Sequence, residues 1–260
     1  MIWLVALGLA ALEIRVTCRN MNAIYNGMGA IDSVLERTAQ APMRYRVLVP
    51  WMVGWLHGKE RTIAYLAIKM ALLALTLAGT WAYLGESGAL AFAALLASTM
   101  EFDYWDQYAE LLGVLGCMSG NPWLTALGAL AWGLSRETAV MAPAVSYLAC
   151  GNLYGAVGPL ALAIVRLTQG ETTLYCPRWM WCYNVEDLRK AIGHLDYAPL
   201  YSLLWSVVCV GILWPTLPRP FLATRALPLA WLGAGWILAR ARETRVFLPT
   251  ALWMAASVVR

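Results

Sequence analysis

The stretch EFDYWDQ, residues 101–107, places three carboxylates within six residues of each other. It lies between two apolar runs of a chain that is 61% hydrophobic and 13% charged, so these acids need water or charged partners. A helix that begins near Asp103 would carry Asp103, Asp106 and Glu110 on one face of its first two turns. We therefore predict that this face looks into a polar cavity and serves function. The alternative is that the acids only mark a helix N-terminus, where the helix dipole favours them.

Arginine stands beside glutamate at two predicted helix mouths, in SRET (135–138) and RETR (242–245). A guanidinium group binds phosphate bidentately, and a neighbouring carboxylate can orient it or contact a hydroxyl. The pattern predicts a lipid-phosphate site. Its predicted ligands are Arg136, Arg240, Arg242 and Arg245, supported by Glu137 and Glu243. The alternative for Arg136 is an internal pair with Glu137 or with an acid of EFDYWDQ, which would tie helices together.

Lys69 lies in the middle of a long apolar run, so it must reach the surface, pair with an acid or line a cavity. We include it as a supporting site residue. Neither His57 nor His194 lies near a pair of thiols, so no zinc-type spacing is present. The sequence indicates no cofactor and no metal site, and it leaves a divalent cation open.

The composition is that of a polytopic membrane protein. Mean hydropathy is +0.60, and the chain has 14 Trp against 4 Phe. A soluble domain of this length would need more charge to cover its surface, and tryptophan favours the interfaces of a bilayer. The formal net charge of +4 is too even a balance to suggest nucleic acid as a partner. We predict an all-α, polytopic transmembrane helical bundle.

The chain is predicted to form a single transmembrane domain, 1–260, with polar loops at 19–46 and 168–197. About nine to eleven apolar segments are expected, and many of them are shorter than the roughly 20 residues that a span needs. Segment 88–100, with a helical rise of about 20 Å, should not cross fully. The segments are 1–17, 46–57, 62–84, 88–100, 107–119, 122–134, 138–150, 152–167, 198–214, 221–239 and 246–259.

Each polar loop contains a helical pattern. IDSVLERT (31–38) predicts a short amphipathic helix along the membrane surface. NVEDLRKAI (184–192) predicts a helix with Asn184 as its N-cap and acids in its first turn. If each run from 107 onward crosses once, EFDYWDQ, 135–137, 168–197 and 240–245 fall on the same side of the membrane. The alternative for both loops is a solvated connector.

Four motifs in order resemble small bacterial relatives of the GT-C integral membrane glycosyltransferases: YRVLVPWMVGWL (45–56), FDYWDQ (102–107), SRETAV (135–140) and ETRVFLP (243–249). The last is similar to a charged loop of the polyprenyl-phosphate-mannose-dependent members. The resemblance implies a catalytic acid in the first external loop, which maps onto Asp32 or, less well, Glu36. The familiar Asp-Glu or Asp-x-Asp pairing is missing there, which makes Asp103 and Asp106 the better-placed catalytic carboxylates.

The function predicted from this resemblance is an integral membrane glycosyltransferase that uses a polyprenyl-phosphate-linked sugar, located in the bacterial cytoplasmic membrane. Its expected partners are membrane lipid, the polyprenyl-phosphate sugar and other membrane proteins, with no nucleic acid. One alternative is a non-catalytic subunit of a larger membrane complex, with its apolar surfaces facing lipid or protein. A transporter is the third, weakened by the absence of two matching broken-helix halves.

Overall fold

All regular elements in the part of the chain that the structure describes are helices. This finding confirms the all-α class, and the polytopic arrangement stays a prediction. The computed structural model describes residues 31–39, 46–98, 106–170, 177–194, 197–216, 226–238 and 249–257, together with 5, 8, 10–12, 29 and 247.

The helices follow the predicted apolar segments closely in the described ranges. Short 3₁₀ segments, Glu137–Met141 and Tyr154–Ala156, precede two of them. The α-helices are α1 (Leu48–Val53), α2 (Gly58–Ser98), α3 (Asp106–Met118), α4 (Pro122–Gly133), α5 (Ala142–Cys150), α6 (Val157–Gln169), α7 (Pro177–His194), α8 (Tyr197–Thr216), α9 (Ala226–Leu238) and α10 (Thr250–Ala256).

The chain divides into two compact units. Unit 1 comprises Met1–Tyr83 and Phe102–Thr173, and unit 2 comprises Leu84–Glu101 and Leu174–Arg260. Every contact described below lies within one of these units. The prediction of a single transmembrane domain, 1–260, stays a prediction.

Helix α2 is interrupted at Gly85, whose φ of 70° and ψ of −174° are not helical. Essentially only glycine adopts this region of the Ramachandran plot. The break falls between the two predicted segments 62–84 and 88–100. The stretch Gly58–Ala97 is long and apolar enough to cross a membrane, and only 28% of its most apolar 18-residue stretch is buried. A bent pair, Met180–His194 with Ala198–Leu213, also passes this test when taken together.

One face of α2 is buried in unit 1, and it includes Lys69. Tyr65, Lys69 and Leu73 follow one another at helical spacing, and each is at most 1% exposed. Thr76 and Thr80 continue the same buried face and donate hydrogen bonds to the carbonyl groups of Leu72 and Thr76. Of the alternatives for Lys69, the one in which its side chain reaches the surface is therefore wrong.

Helices α3 and α4 form a tight hairpin. Its turn is capped by Asn121, whose Oδ1 accepts from the N–H groups of Trp123 (2.9 Å) and Leu124 (3.3 Å). Glycine allows the helices to approach, because a Cβ on Gly116 would lie 2.5 Å from the carbonyl oxygen of Leu124. Helix α4 then packs equally closely on α6, as discussed below. Helix α4, which leads into SRET, is therefore packed closely against both α3 and α6.

Residues 31–35 are helical, as IDSVLERT predicts, and Ile31 and Val34 are fully buried. This part of the prediction is confirmed for the described residues, while its position on a membrane surface stays a prediction. The helical turn ends at Arg37, the one described residue other than glycine with a positive φ, 59°. A left-handed residue at this place commonly ends a helix and is usually glycine.

Arg37→Gly is expected to stabilise the protein by about 1 kcal/mol, because glycine adopts a positive φ without the steric cost that a Cβ brings. Among the described residues, the Arg37 side chain makes no hydrogen bond or ion pair that the change would remove. Thermal unfolding followed by tryptophan fluorescence would measure it. Arg37→Ala is the matched control, since it removes the same charge and keeps the Cβ. Equal effects of the two variants would contradict the explanation.

In unit 2, helix α7 begins at Pro177, so the prediction that Asn184 is an N-cap is wrong. Proline at the first helical position lacks the N–H that would otherwise be unpaired, and it starts the helix two turns earlier. Asn184 instead lies in the helix interior, 1% exposed, and its Nδ2 donates to the carbonyl oxygen of Trp236 at 2.8 Å. The side chain therefore ties α7 to α9.

Candidate functional site

Two acids of the first turns of α3 point into unit 1. Asp106 and Glu110 are 0% and 1% exposed, and their spacing of four residues puts them on one helix face. Two of the three acids predicted to share one helix face, Asp106 and Glu110, therefore do so. Asp103 lies outside the described residues.

The guanidinium groups that meet these acids come from two segments joined by backbone hydrogen bonds. Helix α4 ends at Gly133, and the chain becomes extended at Arg136 (φ −148°) before the 3₁₀ segment begins. The carbonyl oxygen of Leu134 accepts from the N–H groups of Val47 (2.8 Å) and Leu48 (3.0 Å). These bonds bring Arg46 next to the SRET segment.

The acids and arginines form ion pairs in the interior. Arg46 Nη1 lies 2.9 Å from Asp106 Oδ2, and Arg136 Nε lies 3.3 Å from the same oxygen. Arg136 also donates through Nη1 to Glu110 Oε2 at 2.5 Å. Arg46 and Arg136 are only 7% and 6% exposed. We call these four residues together with Glu137 the buried ionic cluster.

A hydrogen-bond chain fixes the second oxygen of Glu110. Thr138 Oγ1 donates to Glu110 Oε1, and the indole N–H of the fully buried Trp132 donates to Thr138 Oγ1 at 3.0 Å. Both carboxylate oxygens of Glu110 are therefore used inside the protein. Arg136 and Thr138, both in the segment after α4, therefore each bind one carboxylate oxygen of Glu110, and Trp132 positions the Thr138 hydroxyl.

Glu137 is the third carboxyl of the buried ionic cluster. Burial raises the pKa of this carboxyl above its usual range, although the guanidinium group of Arg46, a backbone hydrogen bond and Arg136 act in the opposite direction. Its Oε1 atom is buried and has no hydrogen-bond partner among the residues that the structure describes. A carboxyl in this setting is a candidate proton donor or acceptor.

Such a cluster contributes little to stability as a whole. The desolvation of each buried ion costs several kcal/mol, and ion pairing in the interior does little more than offset it. Apolar residues of similar volume would often be as stable or more so. Its presence in so apolar a protein therefore needs an explanation in function or in conformational specificity.

Asp32, the acid that the family resemblance implies, lies elsewhere in unit 1. Its half-exposed carboxylate pairs with Arg61, whose guanidinium group also donates to the carbonyl oxygens of Leu56 (2.6 Å) and Gly54 (3.3 Å). The pair connects the helical turn at 31–35 to the start of α2. The catalytic role of Asp32 stays a prediction.

The structure brings Asp106, Arg136 and Glu137 together. It adds Arg46, which was not predicted, and Glu110, which was predicted to share the functional face of the helix but was not named as a site residue. Arg46 could have been found from its place in YRVLVP, one of the stretches singled out in the sequence. For Arg136, the internal pair with an acid of EFDYWDQ is the alternative that the structure contains. Predicted site residues outside the described ranges are Asp103, Arg240, Arg242, Glu243 and Arg245.

Among the described residues, no group of three or more His, Cys, Asp and Glu side chains could hold a metal ion. Comparison of the chain with known proteins found no matching family model, no similar characterised protein and no similar solved structure.

Proposed function

We propose that this protein is an integral membrane glycosyltransferase that transfers a sugar from a polyprenyl-phosphate donor to a hydroxyl-bearing acceptor. The reaction would use a carboxylate to take the acceptor's proton and arginines to stabilise the departing lipid phosphate. The proposal places the protein in a membrane as a polytopic helical bundle, in the bacterial cytoplasmic membrane.

The observation that carries the proposal is the convergence of three sequence motifs on the buried ionic cluster. Arg46 belongs to YRVLVP, Asp106 to FDYWDQ, and Arg136 with Glu137 to SRETAV. These are three of the four stretches that resemble GT-C enzymes, and they are separated by tens of residues in the chain. Their meeting in space supports a common site, because ionisable groups buried in an apolar protein are costly and are commonly functional.

The long helix α2 supports the membrane part of the proposal. A core helix of a soluble protein would be mostly buried, whereas only 28% of the most apolar stretch of Gly58–Ala97 is buried. Its exposed side chains include Ile63 and Leu75, at 67% and 57%. Lipid is the environment in which such a surface is stable.

The second candidate is a non-catalytic subunit of a membrane complex. It is favoured by the fact that the guanidinium groups of Arg46 and Arg136 are each engaged by an acid of the protein. Arginines used in this way tie helices together and present less charge to a phosphate. On this alternative the buried ionic cluster fixes the fold and binds no donor.

Mass spectrometry of lipids that co-purify with the protein in nanodiscs distinguishes the two candidates. A bound polyprenyl phosphate or polyprenyl-phosphate sugar is expected for the enzyme. Only bulk phospholipid is expected for the subunit, and that result would contradict the proposal.

Arg242→Ala and Arg245→Ala are each expected to weaken binding of a lipid phosphate tenfold to a hundredfold. A charge-assisted contact to phosphate contributes about 1.5–3 kcal/mol, and the lone Glu243 cannot match three arginines within six residues. A thermal-shift titration with a short-chain polyprenyl phosphate measures the affinity. Arg242→Lys should recover only part of it, because lysine keeps the charge and loses the planar fork.

Lys190→Ala is the control, since Lys190 is exposed and its ion pair within the described residues is with the exposed Glu186 on its own helix. Shifts equal to those of the unmodified protein in both arginine variants would leave Arg242 and Arg245 as interfacial anchors and would favour the subunit.

A further inference from the structure

The three carboxyl groups of the buried ionic cluster differ in how the described residues engage their oxygen atoms. Both oxygens of Glu110 are used by Arg136 and Thr138. Asp106 Oδ2 is shared by the guanidinium groups of Arg46 and Arg136. Glu137 Oε1 is buried without a hydrogen-bond partner in the part of the chain that the structure describes. Glu137 therefore has a buried oxygen that none of the described residues occupies.

Two further buried polar atoms are also without hydrogen-bond partners among the described residues: Ser135 Oγ, two residues before Glu137, and Nε of Arg46, whose charge acts on Glu137. Their residues are 0% and 7% exposed. The segments that carry all three atoms are joined by the bonds from Val47 and Leu48 to the carbonyl oxygen of Leu134. A buried polar atom left unpaired costs roughly 1–3 kcal/mol, so three in adjoining segments need an explanation.

The three atoms complement an alcohol. A carboxylate oxygen accepts a hydrogen bond from a hydroxyl group, an arginine Nε–H donates to the hydroxyl oxygen, and a serine hydroxyl does either. A phosphate offers no proton to a carboxylate and would be repelled by it. The chemistry of these atoms therefore fits the acceptor better than the lipid-phosphate donor.

We propose that Ser135, Glu137 and Arg46 form the subsite for the acceptor's hydroxyl group and that Glu137 is the catalytic base. This inference rests on the proposed glycosyltransferase function and names the residue that performs its proton transfer. It moves that role from the predicted Asp32, Asp103 and Asp106 to a carboxyl that was predicted only to support the phosphate site.

The acceptor's hydroxyl proton passes to the Glu137 carboxylate while the hydroxyl oxygen forms a bond to the anomeric carbon of the sugar. The bond between that carbon and the phosphate oxygen breaks, and its electron pair leaves with the polyprenyl phosphate. The protonated Glu137 then returns its proton to water.

The surroundings of Glu137 determine how the step depends on pH. The groups that act on its charge are Arg46 from the segment before α1, Asp106 from α3 and the adjacent Arg136. Because burial raises the pKa of Glu137, the base is ionised only above a pH higher than a solvated glutamate would require. The transfer rate should fall as pH decreases through this value.

Glu137→Gln is the principal test, because it keeps the shape of the side chain and removes the base. Transfer from polyprenyl-phosphate mannose or polyprenyl-phosphate glucose to an alkyl glycoside is expected to fall a hundredfold to ten-thousandfold. The affinity for a short-chain polyprenyl phosphate, measured by thermal-shift titration, should stay within twofold of that of the unmodified protein. The acid limb of the pH profile should be absent in the residual activity. Glu60→Gln, at an exposed carboxylate in the first turn of α2, is the matched control.

Ser135→Ala provides a second variant that changes only one atom beyond Cβ. It is expected to raise KM for the alkyl glycoside about three- to tenfold, with little change in kcat and none in lipid-phosphate binding.

Transfer by Glu137→Gln within threefold of the unmodified protein would overturn the inference and leave the glycosyltransferase function standing. Absence of both transfer and polyprenyl-phosphate binding in the unmodified protein would overturn the inference together with the function.

Discussion

Replacing Arg136 with alanine is expected to destabilise the protein by about 3–5 kcal/mol. The guanidinium group contacts both Asp106 and Glu110, and its removal leaves Glu110 buried with only the Thr138 hydroxyl as a donor. Breaking a buried pair by removing one partner strands an uncompensated charge, which explains the large cost. Chemical unfolding in detergent micelles, followed through the many tryptophans, measures the change.

Two further variants separate the charge from the volume. Arg136→Lys should recover part of the loss, because lysine can reach only one of the two acids at a time. The double variant Arg136→Met with Glu110→Met should recover most of it, since an apolar pair of similar volume avoids the desolvation of both ions. An Arg136→Ala variant within 1 kcal/mol of the unmodified protein would contradict the buried ion pairs.

The double variant also decides what the buried ionic cluster is for. If the cluster only ties helices together, the folded double variant should still assemble with its partners. If it is a catalytic site, transfer activity should be lost while the fold is kept. This outcome depends on no assumption about which acid acts as the base.

Gly133→Ala is expected to cost about 3 kcal/mol, the upper end of the range for overpacking. A Cβ at this position would lie 2.2 Å from the carbonyl oxygen of Gly158 and 3.0 Å from Ala161 Cβ. The neighbour is backbone of α6 and cannot rotate away, so α4 and α6 must separate. The same movement would displace Arg136, three residues further along the chain, so the proposed transfer activity should fall with stability.

Gly211→Ala is the matched control for this substitution. Gly211 lies in the interior of α8, and a Cβ there meets nothing within 4 Å. Alanine loses less conformational entropy on folding than glycine, so the control should gain about 0.5–1 kcal/mol. Opposite signs for the two variants are expected in thermal unfolding. Equal signs would contradict the close packing of α4 on α6.

Most helices could be predicted from the sequence because apolar runs bounded by proline and glycine determine them locally. The turn after α3 shows this well, since Asn121 and Pro122 mark the start of α4 as cap and first residue. The start of α7 was missed for a related reason. Asn184 and the acids after it match a capping pattern, but Pro177 lies further upstream and the helix continues from there through Asn184.

The candidate site could be predicted only in part. The spacing of Asp106 and Glu110 follows from helix geometry and needs no tertiary information. The pairing of Arg46 with Asp106 joins residues 60 positions apart and depends on the backbone bonds between Leu134 and residues 47 and 48. The sequence left two roles open for Arg136: it could bind a phosphate, or it could form an ion pair with an acid of the protein. The structure shows the internal partner: Glu110 lies one turn beyond Asp106, so a single guanidinium group of Arg136 contacts both acids.

If α2 crosses a bilayer, as proposed, its interruption at Gly85 limits how the helix can lie in the membrane. From Gly58 to the residue before Gly85 the helix rises about 40 Å, compared with a hydrocarbon thickness of about 30 Å. An upright helix would therefore bring Gly85 among the hydrated headgroups, where water can satisfy the carbonyl groups that the break releases. A steep tilt would draw the break into the acyl chains and leave those groups dry, so hydrophobic mismatch and backbone solvation together limit the tilt.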